Sequence, residues 1–89
     1  MAYKYLKNRE DLFDVLAPTI DETVRYRTAM CLTELHGTAP KDLHKIVMDA
    51  AEHAVISVVL DFTKGNQALA AEYLGISRPT LRAKVRLNQ

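Results

Sequence analysis

The chain has no tryptophan, three glycines, three prolines and a single cysteine. One cysteine, Cys31, cannot form an internal disulfide, so the fold must hold by packing alone, and this usage fits a reducing cytosol. On packing grounds Cys31 is expected to be a small buried hydrophobe rather than a reactive thiol. No apolar run is long enough to span a bilayer, and the opening segment MAYKYLKNRED lacks the apolar heart of a signal peptide, so neither a membrane span nor secretion is expected. The histidines His36, His44 and His53 stand in no HExxH or paired CxxC spacing, so no metal site or cofactor is expected. A nucleophile with its base and a glycine-rich phosphate loop are also missing, and no catalytic residue is assigned.

What remains is an 89-residue chain of 48% hydrophobic and 26% charged residues, the balance of one small folded domain. The formal net charge of +1 conceals a division. Residues 1–63 hold seven Lys/Arg against ten Asp/Glu, whereas residues 64–89 hold five Lys/Arg against Glu72 alone. Phosphate affinity depends on the face presented, so the near-neutral total does not argue against nucleic acid.

Residues 1–20 are expected to form a short helix capped by Asn8 and stopped before Pro18, the alternative being an arm or hairpin built on Tyr3, Tyr5 and Leu6. Asp21 can cap a second helix that runs to His36 and stops at Gly37, with Val24, Thr28, Cys31, Leu32 and Leu35 on one stripe. A third helix is expected from Pro40 to about Thr63. Its apolar residues exceed one face: Leu43, Val47, Ala51, Val55, Val58 and Val59 are joined by Ile46, Met48, Ile56, Leu60 and Phe62. A surface helix of a small monomer buries one stripe of about 100°. The economical cover for the rest is a second copy, so a homodimer is expected, with Leu32, Leu35, Leu43, Val47, Ala51, Val55, Val58 and Val59 in its core.

The last quarter, KGNQALAAEYLGISRPTLRAKVRLNQ, carries the sharpest pattern. Asn66 caps a helix from Gln67 to Leu74, Gly75 turns the chain, and Ser77 caps a final helix from Arg78 to about Leu87. Ala70, Ala71, Leu74, Ile76, Leu81 and Val85 face inward. In such a helix-turn-helix the second helix enters the major groove of double-stranded DNA and its N-terminal residues reach base edges. Arg78 can read guanine O6 and N7 through its planar fork. Asn66, Ser77 and Thr80 suit phosphate or base-edge hydrogen bonds, and Arg82 lies one turn beyond Arg78. Lys84, Lys64 and Arg86 are further candidate phosphate contacts. The expected fold is therefore all-α: a small helical domain with an N-terminal arm or short helix over 1–20, a two-helix dimerisation core over 21–63 and a helix-turn-helix over 64–89.

These residues resemble the Fis family of bacterial DNA-bending proteins over roughly residues 23–87. The resemblance rests on Phe62-Thr63-Lys64-Gly65-Asn66-Gln67, Ala70-Ala71, Leu74-Gly75-Ile76, and Arg78 with Thr80-Leu81-Arg82. Enhancer-binding activators close with the same module behind a large ATPase domain, which this sequence lacks. The resemblance implies an intertwined homodimer that acts on the nucleoid in the cytoplasm, as transcriptional regulator or chromosome-organising protein. It implies recognition helices closer together than one DNA turn, about 34 Å, so that bound DNA bends and A·T-rich centres are favoured. Carried over, the contact positions are Asn66, Ser77, Arg78, Thr80, Arg82 and Lys84. Ala68-Leu69, Ser77 and Ala83 depart from the family's more polar and basic pattern, and residues 1–20 do not match its N-terminal hairpin. The modest total charge keeps in view an operator-specific repressor or activator of a mobile element, and Ala68, Leu69 and Ala83 keep in view a protein-interaction module with a vestigial helix-turn-helix, working through residues 1–20 or the acidic two-helix face.

Overall fold

The computed structural model describes residues 8–87, and within them every regular element is an α-helix. The helices are α1 (Arg9–Glu34), α2 (Leu43–Phe62), α3 (Gln67–Leu74) and α4 (Arg78–Leu87). The chain divides into two compact units, Met1–Lys41 and Asp42–Gln89. The arm expected from Tyr3, Tyr5 and Leu6 lies outside the described residues. No described helix is long and apolar enough to cross a membrane.

The first unit holds α1, and here the sequence expectation needs correction. Pro18 does not end a short helix and Asp21 does not cap a new one; one 26-residue helix runs through both. Asn8 starts it, its Oδ1 accepting the Asp11 amide at 2.9 Å, and Glu10 and Asp11 meet the positive end of the helix dipole. Proline removes the bond that residue 18 would donate to the Asp14 carbonyl, but its fixed φ is helical. A single lost bond is outweighed where both flanks propagate, and Asp21 takes part in that propagation: its carboxylate pairs with Arg25 one turn on, at 2.8 Å. The helix ends where His36 (φ 49°) and Gly37 (φ 87°) enter the left-handed region. Along one side Leu12, Phe13, Leu16, Ile20 and Val24 form an exposed apolar stripe. Cys31, expected to be buried, is exposed on this helix.

The second unit holds α2, α3 and α4. Helix α2 begins at Leu43, not at Pro40, because Asp42 adopts a left-handed conformation (φ 58°) that no helix interior accepts. The Asp42 carbonyl still takes the first helical bond, from the Ile46 amide at 3.0 Å. On the outer face Lys45 and Asp49 pair across one turn, and that contact raises the Lys45 pKa. At its far end α2 closes with two reversed bonds, Gly65 N to Leu60 O (2.9 Å) and Lys64 N to Asp61 O (3.1 Å). This is the Schellman arrangement, with Lys64 (φ 56°) rather than glycine at its left-handed position.

Ile56 of α2, Ala70 and Ala71 of α3 and Leu81 of α4 are the buried centre, and Val59, Leu60, Leu74, Ile76 and Val85 pack around it. The inward set expected for the last two helices is the set observed, with α2 as the floor. Much of α2 faces outward in the single chain. Val58 is 68% exposed and Phe62 73%.

If α1 is continuous, Pro18→Ala restores the missing bond and stabilises the helix by about 1–3 kcal/mol. Helical ellipticity and the midpoint of its thermal loss are expected to rise. An unchanged midpoint would mean that the chain is already broken at residue 18.

Candidate nucleic-acid interface

The site begins at the end of α2. Thr63 is buried, and its hydroxyl donates within reach of both the Leu60 and Asn66 carbonyls (3.2 and 3.3 Å). That hydroxyl ties the exit of α2 to the entry of α3. Asn66 caps α3 as expected: its Oδ1 accepts the Leu69 amide at 3.1 Å. The cap uses the amide oxygen only, so the side-chain NH2 and the first backbone N–H groups of α3 remain donors at a helix N-terminus, where anions are favoured.

The turn between α3 and α4 repeats the Schellman geometry. Ile76 N reaches Ala71 O at 3.1 Å and Gly75 N reaches Glu72 O at 3.2 Å, with Gly75 at φ 73°. Ile76 then packs its side chain against the buried cluster. Buried Ala70 and Ala71 present only methyl groups, which lets α4 come close enough for Leu81 to be fully enclosed.

Ser77 opens α4 with two bonds to one residue. Its Oγ accepts the Thr80 amide at 3.2 Å and its hydroxyl donates to Thr80 Oγ1 at 2.7 Å. The Thr80 hydroxyl then has its own hydrogen left to donate. Ser77, Arg78, Thr80, Arg82 and Arg86 are all exposed, as are Lys64 and Asn66. The first turn of α4 carries no acid and begins with Arg78. A cation at a helix N-terminus opposes the dipole by about 0.3–1 kcal/mol, so the helix alone gains nothing from an arginine there; an anionic ligand would repay it. Arg78, Arg82 and Arg86 follow one another at intervals of four, a basic edge that drifts by only about 40° per step.

Lys84 stands apart from that edge. Its Nζ lies 2.9 Å from Glu52 Oε2 and 3.0 Å from Oε1, so it faces α2 and is half-buried there. Sequence reading missed this pair, because nothing in the spacing of residues 32 apart announces it. The Phe62–Tyr73 ring contact, with centroids 6.0 Å apart, was missed for the same reason. Of the expected core set, Leu35, Leu43, Val47 and Val59 are half-buried, while Leu32, Ala51, Val55 and Val58 are exposed in the single chain.

A capped helix, a left-handed glycine turn and a second capped helix seated by one buried leucine define a helix-turn-helix. The sequence profile of the family described as bacterial regulatory protein, Fis family, matches residues 47–86. Over 55 residues the chain is 42% identical to a protein named DNA-binding protein Fis in Mannheimia haemolytica, covering 62% of this chain and 56% of that one. Over 72 residues it is 33% identical to the DNA-binding protein Fis of Haemophilus influenzae, covering 81% and 73% respectively. The chain thus spans little more than half the length of the first relative and nearly three quarters of the second. No solved structure matches it. The chain belongs to the Fis family of bacterial regulatory proteins.

The left-handed Lys64 generates a direct test. A non-glycine residue there costs about 1–2 kcal/mol, because the left-handed conformation crowds its Cβ against its own backbone. Lys64→Gly is expected to raise stability by about 1 kcal/mol in urea titration. A destabilised variant would contradict the assigned geometry.

Proposed function

We propose that the chain binds double-stranded DNA as a homodimer, seating the N-terminal turn of α4 in the major groove. The observation that carries this reading is Arg78 at the first position of α4, exposed and followed by Arg82 one turn on, on a helix whose register is fixed by buried Leu81. Arg78 and Thr80 read base edges; Ser77 holds Thr80 in place and offers its oxygen beside it. Asn66, at the N-terminus of α3, and Lys64 before it hold phosphates on one side, and Arg82 and Arg86 hold them on the other. The relatives' name, DNA-binding protein Fis, supports the same ligand.

The surface that one chain leaves open supports the second copy. Val55, Val58 and Phe62 on α2, and the Leu12–Val24 stripe on α1, are large apolar groups in contact with water. Covering them against an identical chain brings two helix-turn-helix units into one particle. Such a particle bends its site where its two recognition helices lie closer than a DNA turn, and serves as a transcriptional or chromosome-organising protein in the cytoplasm. No catalytic step belongs to this reading.

Arg78→Ala and Arg82→Ala test it, with ellipticity confirming the fold. Loss of the base-reading fork at Arg78 is worth about 1–3 kcal/mol, so duplex affinity is expected to fall roughly tenfold to a hundredfold. Arg82→Ala is expected to weaken binding to all sequences alike and to flatten the salt dependence. Duplex affinity unchanged in both variants would refute the assignment.

A further inference from the structure

We propose that Lys84 is a positioning residue and not a DNA contact: paired with Glu52 of α2, it holds α4 against rolling, and so holds Arg78 where it meets a base edge. The inference rests on the DNA-binding reading above and concerns how well the helix-turn-helix tells one sequence from another.

The two carboxylate oxygens of Glu52 lie 2.9 and 3.0 Å from Lys84 Nζ. The Lys84 side chain is 31% exposed and Glu52 39%, whereas all four members of Arg25–Asp21 and Lys45–Asp49 stand more than half in solvent. Those two pairs join neighbours one turn apart on a single helix and constrain nothing beyond it. Glu52–Lys84 spans 32 residues and ties one helix to another. Position on α4 sets Lys84 apart from the basic edge. At about 100° per residue it lies about 160° around the helix from both Arg82 and Arg86, and only about 60° from the fully buried Leu81. Its stem therefore runs along the packed side of α4, and its ammonium ends on α2.

What this tie adds follows from what seats α4. Leu81 is the one buried residue of this ten-residue helix. A helix seated on one enclosed side chain keeps its place more firmly than it resists rolling about its own axis. A roll of about 10° on a helix of about 5–6 Å radius moves a side-chain head by about 1 Å. That is twice the whole spread of N–H···O bond lengths, about 0.5 Å, so a two-pronged contact between Arg78 and a base does not survive it. A single phosphate contact through a long, flexible side chain does. The pair from α2 lies to one side of Leu81 and opposes the roll, so it guards base readout and leaves attraction to phosphates alone. Solvent screens a pair this exposed in part, which limits its effect to about twofold to fivefold in an equilibrium. Lys84 also has an interaction besides Glu52. The contribution of the pair is therefore read from a cycle of variants, in which the other contacts of each partner cancel.

The test uses the full chain as wild type, Glu52→Lys, Lys84→Glu and the two exchanged together, with ellipticity confirming the fold. Fluorescence anisotropy gives the affinity for a duplex that the wild type selects from a random pool, and for an arbitrary duplex of equal length. Each single variant sets like charges against each other and is expected to cut the ratio of the two affinities about twofold to fivefold. The exchange restores an opposite pair and is expected to recover the ratio. Lys84→Met, in a salt series on the arbitrary duplex, is expected to keep the wild-type slope of log K against log salt. A slope flattened by about 0.9 per chain in Lys84→Met would make Lys84 a phosphate contact and overturn the proposal. A ratio unchanged in the folded single variants overturns it too, since a pair that only fastens the fold gives that result. So does an exchange that discriminates no better than either single variant. If the single variants do not fold, the exchange and Lys84→Met decide. A wild type that binds its selected duplex no more tightly than the arbitrary one overturns the positioning role and leaves DNA binding standing. A wild type that binds no duplex at low salt overturns the DNA-binding reading, and the positioning role with it.

Discussion

Leu81 has no solvent-accessible surface, and the geometry of the helix-turn-helix half depends on how it reaches that state. It needs a floor, which Ile56 supplies from α2, and it needs walls thin enough to admit it, which Ala70 and Ala71 supply from α3. Enclosing a leucine side chain contributes about 2 kcal/mol, and truncating it in a packed site costs about 2–5 kcal/mol. With so few fully buried residues around it, that is a large part of what seats α4. The exposed register of Arg78, Arg82 and Arg86 is a consequence: once Leu81 and Val85 point inward, the helix period decides which basic side chains point out and which one meets Glu52.

The smallness of that centre also explains the rest of the chain. Helix α2 serves the helix-turn-helix with one side only, through Ile56, Val59 and Leu60. Its remaining valines and Phe62 have no comparable cover in one chain, and α1 carries its own apolar stripe. So many apolar side chains at water-facing positions call for cover, and a second copy of the chain is the cover proposed here. The same helix would then carry both tasks, fixing the recognition helix on one side and the second copy on the other.

The helix-turn-helix was legible residue by residue because its signals are local. Asn66, Gly75 and Ser77 act on backbone groups within four positions of themselves, and each stands where spacing put it, with caps and turn realised. The start of the chain was misread for an equally physical reason. Proline 18 is a local breaker, but whether it breaks depends on how well the turns on both sides propagate, which no single position reveals. Pro40 and Asp42 repeat the lesson: a proline suited to a first turn stayed outside the helix because Asp42 took the left-handed conformation. Glu52–Lys84 lay beyond sequence reading altogether, since it exists only once Leu81 has set the rotation of α4 against α2. The contact roles proposed for Asn66, Ser77, Arg78, Thr80 and Arg82 rest on side-chain chemistry, and all five side chains are exposed.

The central claim is that two copies of this chain act as one unit on duplex DNA. Sedimentation of the full chain with a labelled duplex of roughly 27 base pairs, about two and a half helical turns, measures it directly. A complex of two chains per duplex is expected at low ionic strength, dissolving as salt is raised. Chains that sediment separately from the duplex at low salt, or a complex holding a single chain, would contradict it.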